Sequence, residues 1–424
     1  MQSVTPKVPS DLRRVERSGA HDGETGNSRL GGEPLNDNSV EDTWADTCRL
    51  DASAIAAIAH LDPLCADAAC RTVPRLNAAA DVAGLADALR RIVPSLSTVG
   101  RYSPFECAAA MRDLGIFLGS LKRHGVEPVT AVPEIEVALV ELGRRTVMIP
   151  RDTVYHYGPW NPVGERQRMY TGAAEETVLI DSVRRAAPAL DDGLRALEAA
   201  SELAVNDPML ASLLTRATDG VKTLIDALDG VRRALPPVFF ARSLRPYFEE
   251  VTIAGCAYLG PAAAHLPLYL IDELVWSSDR PDDQYASFKR DTARHGLPSH
   301  RNLFARRQHR PSLTSVVTHE LRAVGLVPPD QLRDVGEDLV RLLRLLVTFR
   351  GRHLVLARRE YAEAVRLYPL GSGGASVELL HEILELTRQS AVLASPGATH
   401  PTYASPDQHG DCEGHSLFRT EGEA

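Results

Sequence analysis

Apolar side chains recur along most of this chain at steps of three and four, the pattern of helices that bury one face and wet the other. The clearest runs are "EETVLIDSVRRAAPALDDGLRALEAASELAV", "PMLASLLTRATDGVKTLIDALDGVRRAL" and "LRDVGEDLVRLLRLLVTFRGRHLVLARREYAEAV". Start and stop signals agree with the pattern. "DASAIAAIAHLDPLCADAACRTVP" opens on an Asp51 N-cap and runs to a proline. "SPFECAAAMRDLGIFLGSLKRHG" opens on Ser-Pro, carries Glu106 three residues after Ser103 as a capping box, and stops at Gly125. "DVAGLADALRRIVPSL" has the same helical spacing, and the best short strand candidate is "EEVTIAGCAYLG". These elements predict an all-α fold. A small N-terminal helical domain spans 51–150 and a larger C-terminal bundle spans 151–395, joined by the connector "MIPRDTVYHYGPWNPVGERQRMYTG".

The ends read differently. Residues 1–50, centred on "GETGNSRLGGEPLNDNS", and residues 396–424 hold too little apolar surface to offset the entropy of ordering, and are expected to be disordered. The tail contains His400, His409, Cys412 and His415, metal-binding residue types without a packed scaffold to hold them.

Composition narrows the function. The chain has 424 residues, 44% of them hydrophobic, and a net charge of −9. That is enough apolar content for a large core, and the wrong balance for coating nucleic acid, which needs a basic field. No run approaches the ~18 apolar residues of a membrane span, and the N-terminus lacks a basic-then-apolar leader, so a cytoplasmic protein without membrane contact is expected. The six cysteines form no CxxC pair and read as reduced thiols.

Candidate chemistry centres on His353. The apolar line Leu339, Leu342, Leu346, Phe349, His353, Leu356 places this histidine on the buried stripe of its helix. Periodicity alone favours a packing residue. A haem, however, needs a neutral imidazole projecting from a rigid helix into an apolar slot, with arginine near the slot mouth for its propionates. Arg350 lies one turn before His353, and the small Gly351 beside it lets a flat ring approach. No CxxCH is present for covalent c-type attachment. From Gly371, eighteen residues on, "LGSGGAS" (370–376) forms a glycine-rich turn that is neither a dinucleotide fingerprint nor a P-loop. It reads either as a helix-to-helix turn or as a flexible lid whose Ser372 hydroxyl and backbone N–H groups meet a carboxylate or ammonium.

In combination, "FRGRH" followed by "GSGGAS", "GLPSHRNLFARRQHRPSLTSVV" and "FFARSLRPYF" resemble the indoleamine/tryptophan 2,3-dioxygenase superfamily. Within it, "ECAAAMRDLGIFLGSLKRHGVEP", "TVYHYGPWNP", "YTGAAEETVLIDSVR" and "YLGPAAAHLPLYLIDELVWSSDRPDDQYASFK", in that order, are similar to the monodechloroaminopyrrolnitrin synthase family. The likeness covers about residues 50 to 395. It implies an indoleamine 2,3-dioxygenase-like all-α fold and a b-type haem, iron protoporphyrin IX, with His353 as the proximal iron ligand. Arg350 would meet a propionate, and Gly260 and Ala262, from the small-residue wall 259–264, would lie against the cofactor.

The same likeness maps Phe240, Arg245 and Ser182 to the distal side, with Arg245 pairing the substrate carboxylate. Tyr361, Ser372 and Gly373 map to the substrate contacts. The implied substrate is 7-chloro-L-tryptophan or tryptophan, rearranged oxidatively to an aminophenylpyrrole with loss of the carboxylate, using dioxygen with an electron donor, or peroxide. The alternatives are a 2,3-dioxygenase forming N-formylkynurenine, or a non-catalytic haem- or indole-binding protein.

Overall fold

A computed structural model describes Trp44, Cys48 and residues 50–280, 282–324, 328–360, 362 and 367–394. The expected N-terminal and C-terminal disorder, the His/Cys tail and Tyr361 lie outside the described residues, with one exception. Trp44, Cys48 and Leu50 are buried, so the packed chain begins before residue 51. The reason is local: the Trp44 indole donates to the Thr146 carbonyl at 2.8 Å and sits edge-on to Phe105, 5.3 Å between ring centres.

The N-terminal half is built from helices α1 (Ala52–His60), α2 (Asp67–Ala78), α3 (Val82–Ile92), α4 (Pro104–Arg123) and α5 (Ile135–Arg145). Asp51 caps α1, accepting from the Ala54 N–H at 2.9 Å. The run from Asp51 was expected to end at a proline, but the helix is interrupted earlier, at Leu61–Ala66, and then continues through Pro74. Pro63 accounts for the break, because the residue before a proline is held out of the helical region; the Asp62 carboxylate then accepts from the N–H groups of Ala66 (2.7 Å) and Asp67 (3.2 Å) at the start of the second helix. The capping box of α4 is present in both directions, Ser103 N–H to Glu106 at 2.7 Å and Glu106 N–H to the Ser103 hydroxyl at 3.3 Å. Gly125 takes φ +75° just past the end of α4, the left-handed conformation that closes a helix. Helix α4 is buried from Cys107 to Leu121, and its internal charges, Arg112 and Asp113, are hydrogen-bonded to each other at 2.8 Å.

The C-terminal half carries the long helices α6 (Ala174–Ala200), α7 (Leu210–Ala234), α8 (Asp283–Ala293), α9 (Pro298–Arg307), α10 (Leu313–Val324), α11 (Asp330–Glu360) and α12 (Val377–Leu393). α6 packs along α7, α7 along α11, and α11 along α12. The strand candidate is an antiparallel hairpin, β1 (Val251–Ile253) and β2 (Cys256–Tyr258), turned by Ala254 and Gly255, both at positive φ. The described cysteines are all free thiols. Among the described residues, no helix is long and apolar enough to cross a membrane.

Each buried leucine of α11, from Leu332 through Leu339, Leu342, Leu343 and Leu346 to Leu354, contributes about 1.5–3 kcal/mol of hydrophobic burial. That seam holds α11 rigid over its 31 residues and fixes what its last three turns present.

Candidate functional site

The cavity of about 260 Å³ at the C-terminal end of α11 is lined only by residues between Tyr157 and Ile383. Its walls come from α6, α7, α11, α12, the segment from Leu235 to Tyr269, and the glycine-rich loop at 371–375. They are mostly apolar, with Phe240, Leu228, Val231 and Leu268 among them.

His353 opens onto this cavity. Its ring lies nearly parallel to Phe349, 5.7 Å between centres and 13° between planes, which fixes the imidazole on the helix surface. It has no hydrogen bond among the described residues. Burial, together with the neighbouring Arg350 charge, lowers its pKa to about 4, so the ring is neutral near pH 7 and offers a lone pair. A Cβ on Gly351 would meet no atom within 4 Å, so the space beside this part of the helix is open.

Arg350 also lines the cavity, and it is buried and held. It donates to Asp272 and, at 2.9 Å, to the Thr387 hydroxyl, and its guanidinium lies 6.0 Å from the centre of the Trp276 ring. Asp272 in turn accepts from the Tyr285 hydroxyl and from the Trp276 indole at 2.8 Å. Sequence reasoning found Arg350 but not this cluster; no spacing rule connects Asp272 to a residue 78 positions away.

On other walls, the structure brings Ser182, Phe240, Arg245, Ser372 and Gly373 to the same cavity. The Ser182 hydroxyl donates back to the Leu179 carbonyl at 2.7 Å, a bond within its own helix. Arg245 donates to the Gly371 carbonyl at 3.4 Å and stacks over Tyr368, 4.4 Å from its ring centre. The Tyr368 hydroxyl donates to Glu249 at 2.8 Å. Tyr368 and Glu360 are cavity residues that the sequence did not single out. A signal existed for Glu360, which stands seven residues after His353 and so on the same face, two turns on.

Gly260 and Ala262 are not on the cavity wall; their neighbours Pro261, Ala263 and Ala264 are. Gly260 serves packing instead: a Cβ there would come within 2.7 Å of the Phe248 Cα, so the glycine lets the chain press against Phe248, whose side chain lines the cavity. Gly373 makes a comparable close approach. Its Cβ would fall 2.3 Å from that of Ala264, so the glycine-rich loop is seated directly on the 263–265 segment. Gly374 takes φ +83° to make the turn.

The fit to a b-type haem can be judged from these observations. A neutral imidazole without a hydrogen-bond partner projects from a rigid helix into an apolar cavity, and arginines stand at two of its walls. That donor set and lining suit a haem. The fold is an all-α one of the indoleamine 2,3-dioxygenase kind, with such a histidine facing an apolar cavity beside a glycine-rich loop. The profile of the family described as monodechloroaminopyrrolnitrin synthase PrnB matches residues 56–395, and the chain belongs to that family, whose members are enzymes acting on tryptophan derivatives.

Proposed function

We propose that this protein is a haem-dependent enzyme of pyrrolnitrin-type antibiotic biosynthesis that converts 7-chloro-L-tryptophan, or tryptophan, to an aminophenylpyrrole. The observation that carries the proposal is His353: neutral, without a hydrogen bond among the described residues, and opening onto the apolar cavity of a chain in this family. When bound, the haem supplies the iron-centred oxygen chemistry that amino-acid side chains lack. The net change removes carbon dioxide and two hydrogens from the amino acid, so an external oxidant, dioxygen with an electron donor or peroxide, must accept two electrons.

The chain's own residues would bind, orient and enclose. His353 would hold the iron, kept unprotonated at neutral pH by burial and by Arg350. Arg350 would face a propionate while Asp272 already shares its charge. Phe240 and the Ala263–Ala264 wall would press on the indole, and Ser182 would offer its hydroxyl from α6. Arg245, Tyr361 and Ser372 would hold the polar end of the amino acid, with Gly373 letting the loop close on Ala264. Apolar walls around these groups exclude water, which strengthens each polar contact. We propose further that the chain divides near residue 150, since the cavity draws all its lining from beyond that point.

The test is reconstitution with hemin, followed by aerobic incubation with 7-chloro-L-tryptophan and with tryptophan. The expected product has lost the carboxylate. A product that gains two oxygens and keeps it would assign ring opening to N-formylkynurenine. Spectral shifts without turnover would assign a binding protein. A hemin-supplemented protein that stays free of haem would refute the proposal.

A further inference from the structure

Five charge-capable side chains line the cavity: Arg245, Asp272, Arg350, His353 and Glu360. Three of them are committed by the geometry. Asp272 and Arg350 hold each other, and Asp272 takes two further donors. His353 is a neutral ring. Glu360 is left as the carboxyl that meets a charged ligand, and Arg245, bonded to the Gly371 carbonyl and stacked on Tyr368, is a cation on the same cavity. A zwitterionic amino acid carries the complementary pair, and its indole suits the apolar remainder of the cavity.

Glu360 has no ion pair or hydrogen bond among the described residues, although it is largely enclosed by protein. An enclosed carboxyl without a partner is costly to keep in its charged form, and a fold retains such a group more readily where a ligand completes it. Its position fits. It stands two turns beyond His353 on the same helix face, roughly 10 Å further along the axis. It lines the same cavity as Arg245, Tyr368 and the glycine-rich loop, which contact one another.

We propose that Glu360 receives the α-ammonium of the substrate, while Arg245 and the 371–375 loop receive its α-carboxylate. The inference rests on the reading that the cavity takes a tryptophan-type amino acid. It assigns the ammonium to a protein carboxylate. It also has a consequence in protons. Burial holds the Glu360 carboxyl protonated up to about pH 8, so below that pH the arriving ammonium displaces one proton to solvent. The ammonium and the new carboxylate then form a charge-assisted pair in a water-poor site. Neighbouring charges do not explain the held proton, because burial is its sole cause.

The experiment titrates the haem-loaded full chain with L-tryptophan and with indole-3-propionate, which lacks the ammonium, following the Soret band. Wild type and Glu360→Gln are compared. The substitution should weaken L-tryptophan binding by roughly 10- to 100-fold and change indole-3-propionate binding by less than about 3-fold. Calorimetry of L-tryptophan binding at pH 7, in two buffers of different ionisation enthalpy, should show close to one proton released from wild type. This measurement needs no variant, and Glu360→Gln should release none. The subsite is overturned if Glu360→Gln leaves the ratio of the two affinities unchanged, whether both hold or both fall, or if wild type binds L-tryptophan without proton release. If wild type binds neither indole, the substrate reading fails and takes the subsite with it.

Discussion

Replacing Asp272 by alanine tests whether the charge cluster behind His353 is as tightly coupled as its geometry requires. Asp272 is fully buried and Arg350 nearly so. The carboxylate accepts from Arg350, from the Tyr285 hydroxyl and from the Trp276 indole. Removing it strands a buried guanidinium, leaves it the uncharged Thr387 hydroxyl, and orphans two further donors. Breaking a buried pair from one side costs about 3–5 kcal/mol.

At about 2.1 cal/mol/K of unfolding entropy per residue, a folded region of roughly 340 residues has about 0.7 kcal/mol/K. The midpoint should therefore fall by about 4–7 °C, measured by thermal denaturation of the haem-free protein. The double substitution Asp272→Ala with Arg350→Met removes both charges and fills the arginine's volume with an apolar chain. It should recover at least half of the loss, because an uncompensated charge no longer remains. A fall under about 1 °C in the single variant, or a double variant no better than the single, would refute the reasoning.

Four shorter predictions follow. His353→Ala should abolish the Soret band of the hemin-treated protein while leaving the thermal midpoint of the haem-free form within about 2 °C, since the ring lies open to a cavity and makes no hydrogen bond among the described residues. Gly373→Val should keep the Soret band but weaken indole binding roughly 10-fold or more in titration, because any Cβ there collides with Ala264 and lifts the loop. Glu360→Gln should stabilise the ligand-free protein by about 2–4 kcal/mol at pH 9 and by nothing near pH 4, read from urea melts. The native carboxyl keeps its proton up to about pH 8 while the unfolded one ionises near its ordinary value, so wild-type stability declines as pH rises through that window. Glu176→Ala should cost about 3 kcal/mol or more in the same melts, because that buried carboxylate accepts from Tyr157, the N–H groups of Tyr170, Thr171 and Gly172, and the Thr171 hydroxyl at 2.6–3.2 Å.

Helices were legible in this sequence because their physics is local. A period of 3.6, an Asp51 cap, a Ser103–Glu106 box and a glycine at positive φ each act within one or two turns, so reading the chain in order is enough. The one break misplaced in the first helical run has the same lesson: Pro63 ends the helix at the observed place, while the later Pro74 is carried inside the next helix at the cost of one ladder bond. The site divides along the same line. His353 and Arg350 share a helix turn, and Ser372 and Gly373 share a turn motif, so pattern reached them.

Asp272, Tyr285 and Tyr368 enter through contacts across 78, 65 and 123 positions of chain, counted from Arg350 and Arg245. No periodicity carries that information. Gly260 and Ala262 mark the subtler limit. The small-residue run was recognised, but which members face the cavity depends on the turn at 260–265, where Gly260 faces Phe248 and Ala263 and Ala264 face inward. Glu360 sits between these cases. Its place on the histidine's face follows from the helical period, yet nothing in that period says that the carboxyl is enclosed and unpartnered among the described residues. Only the packed walls around it turn an ordinary helix-end glutamate into a group with the charge state and position to select an amino acid over its deaminated analogue.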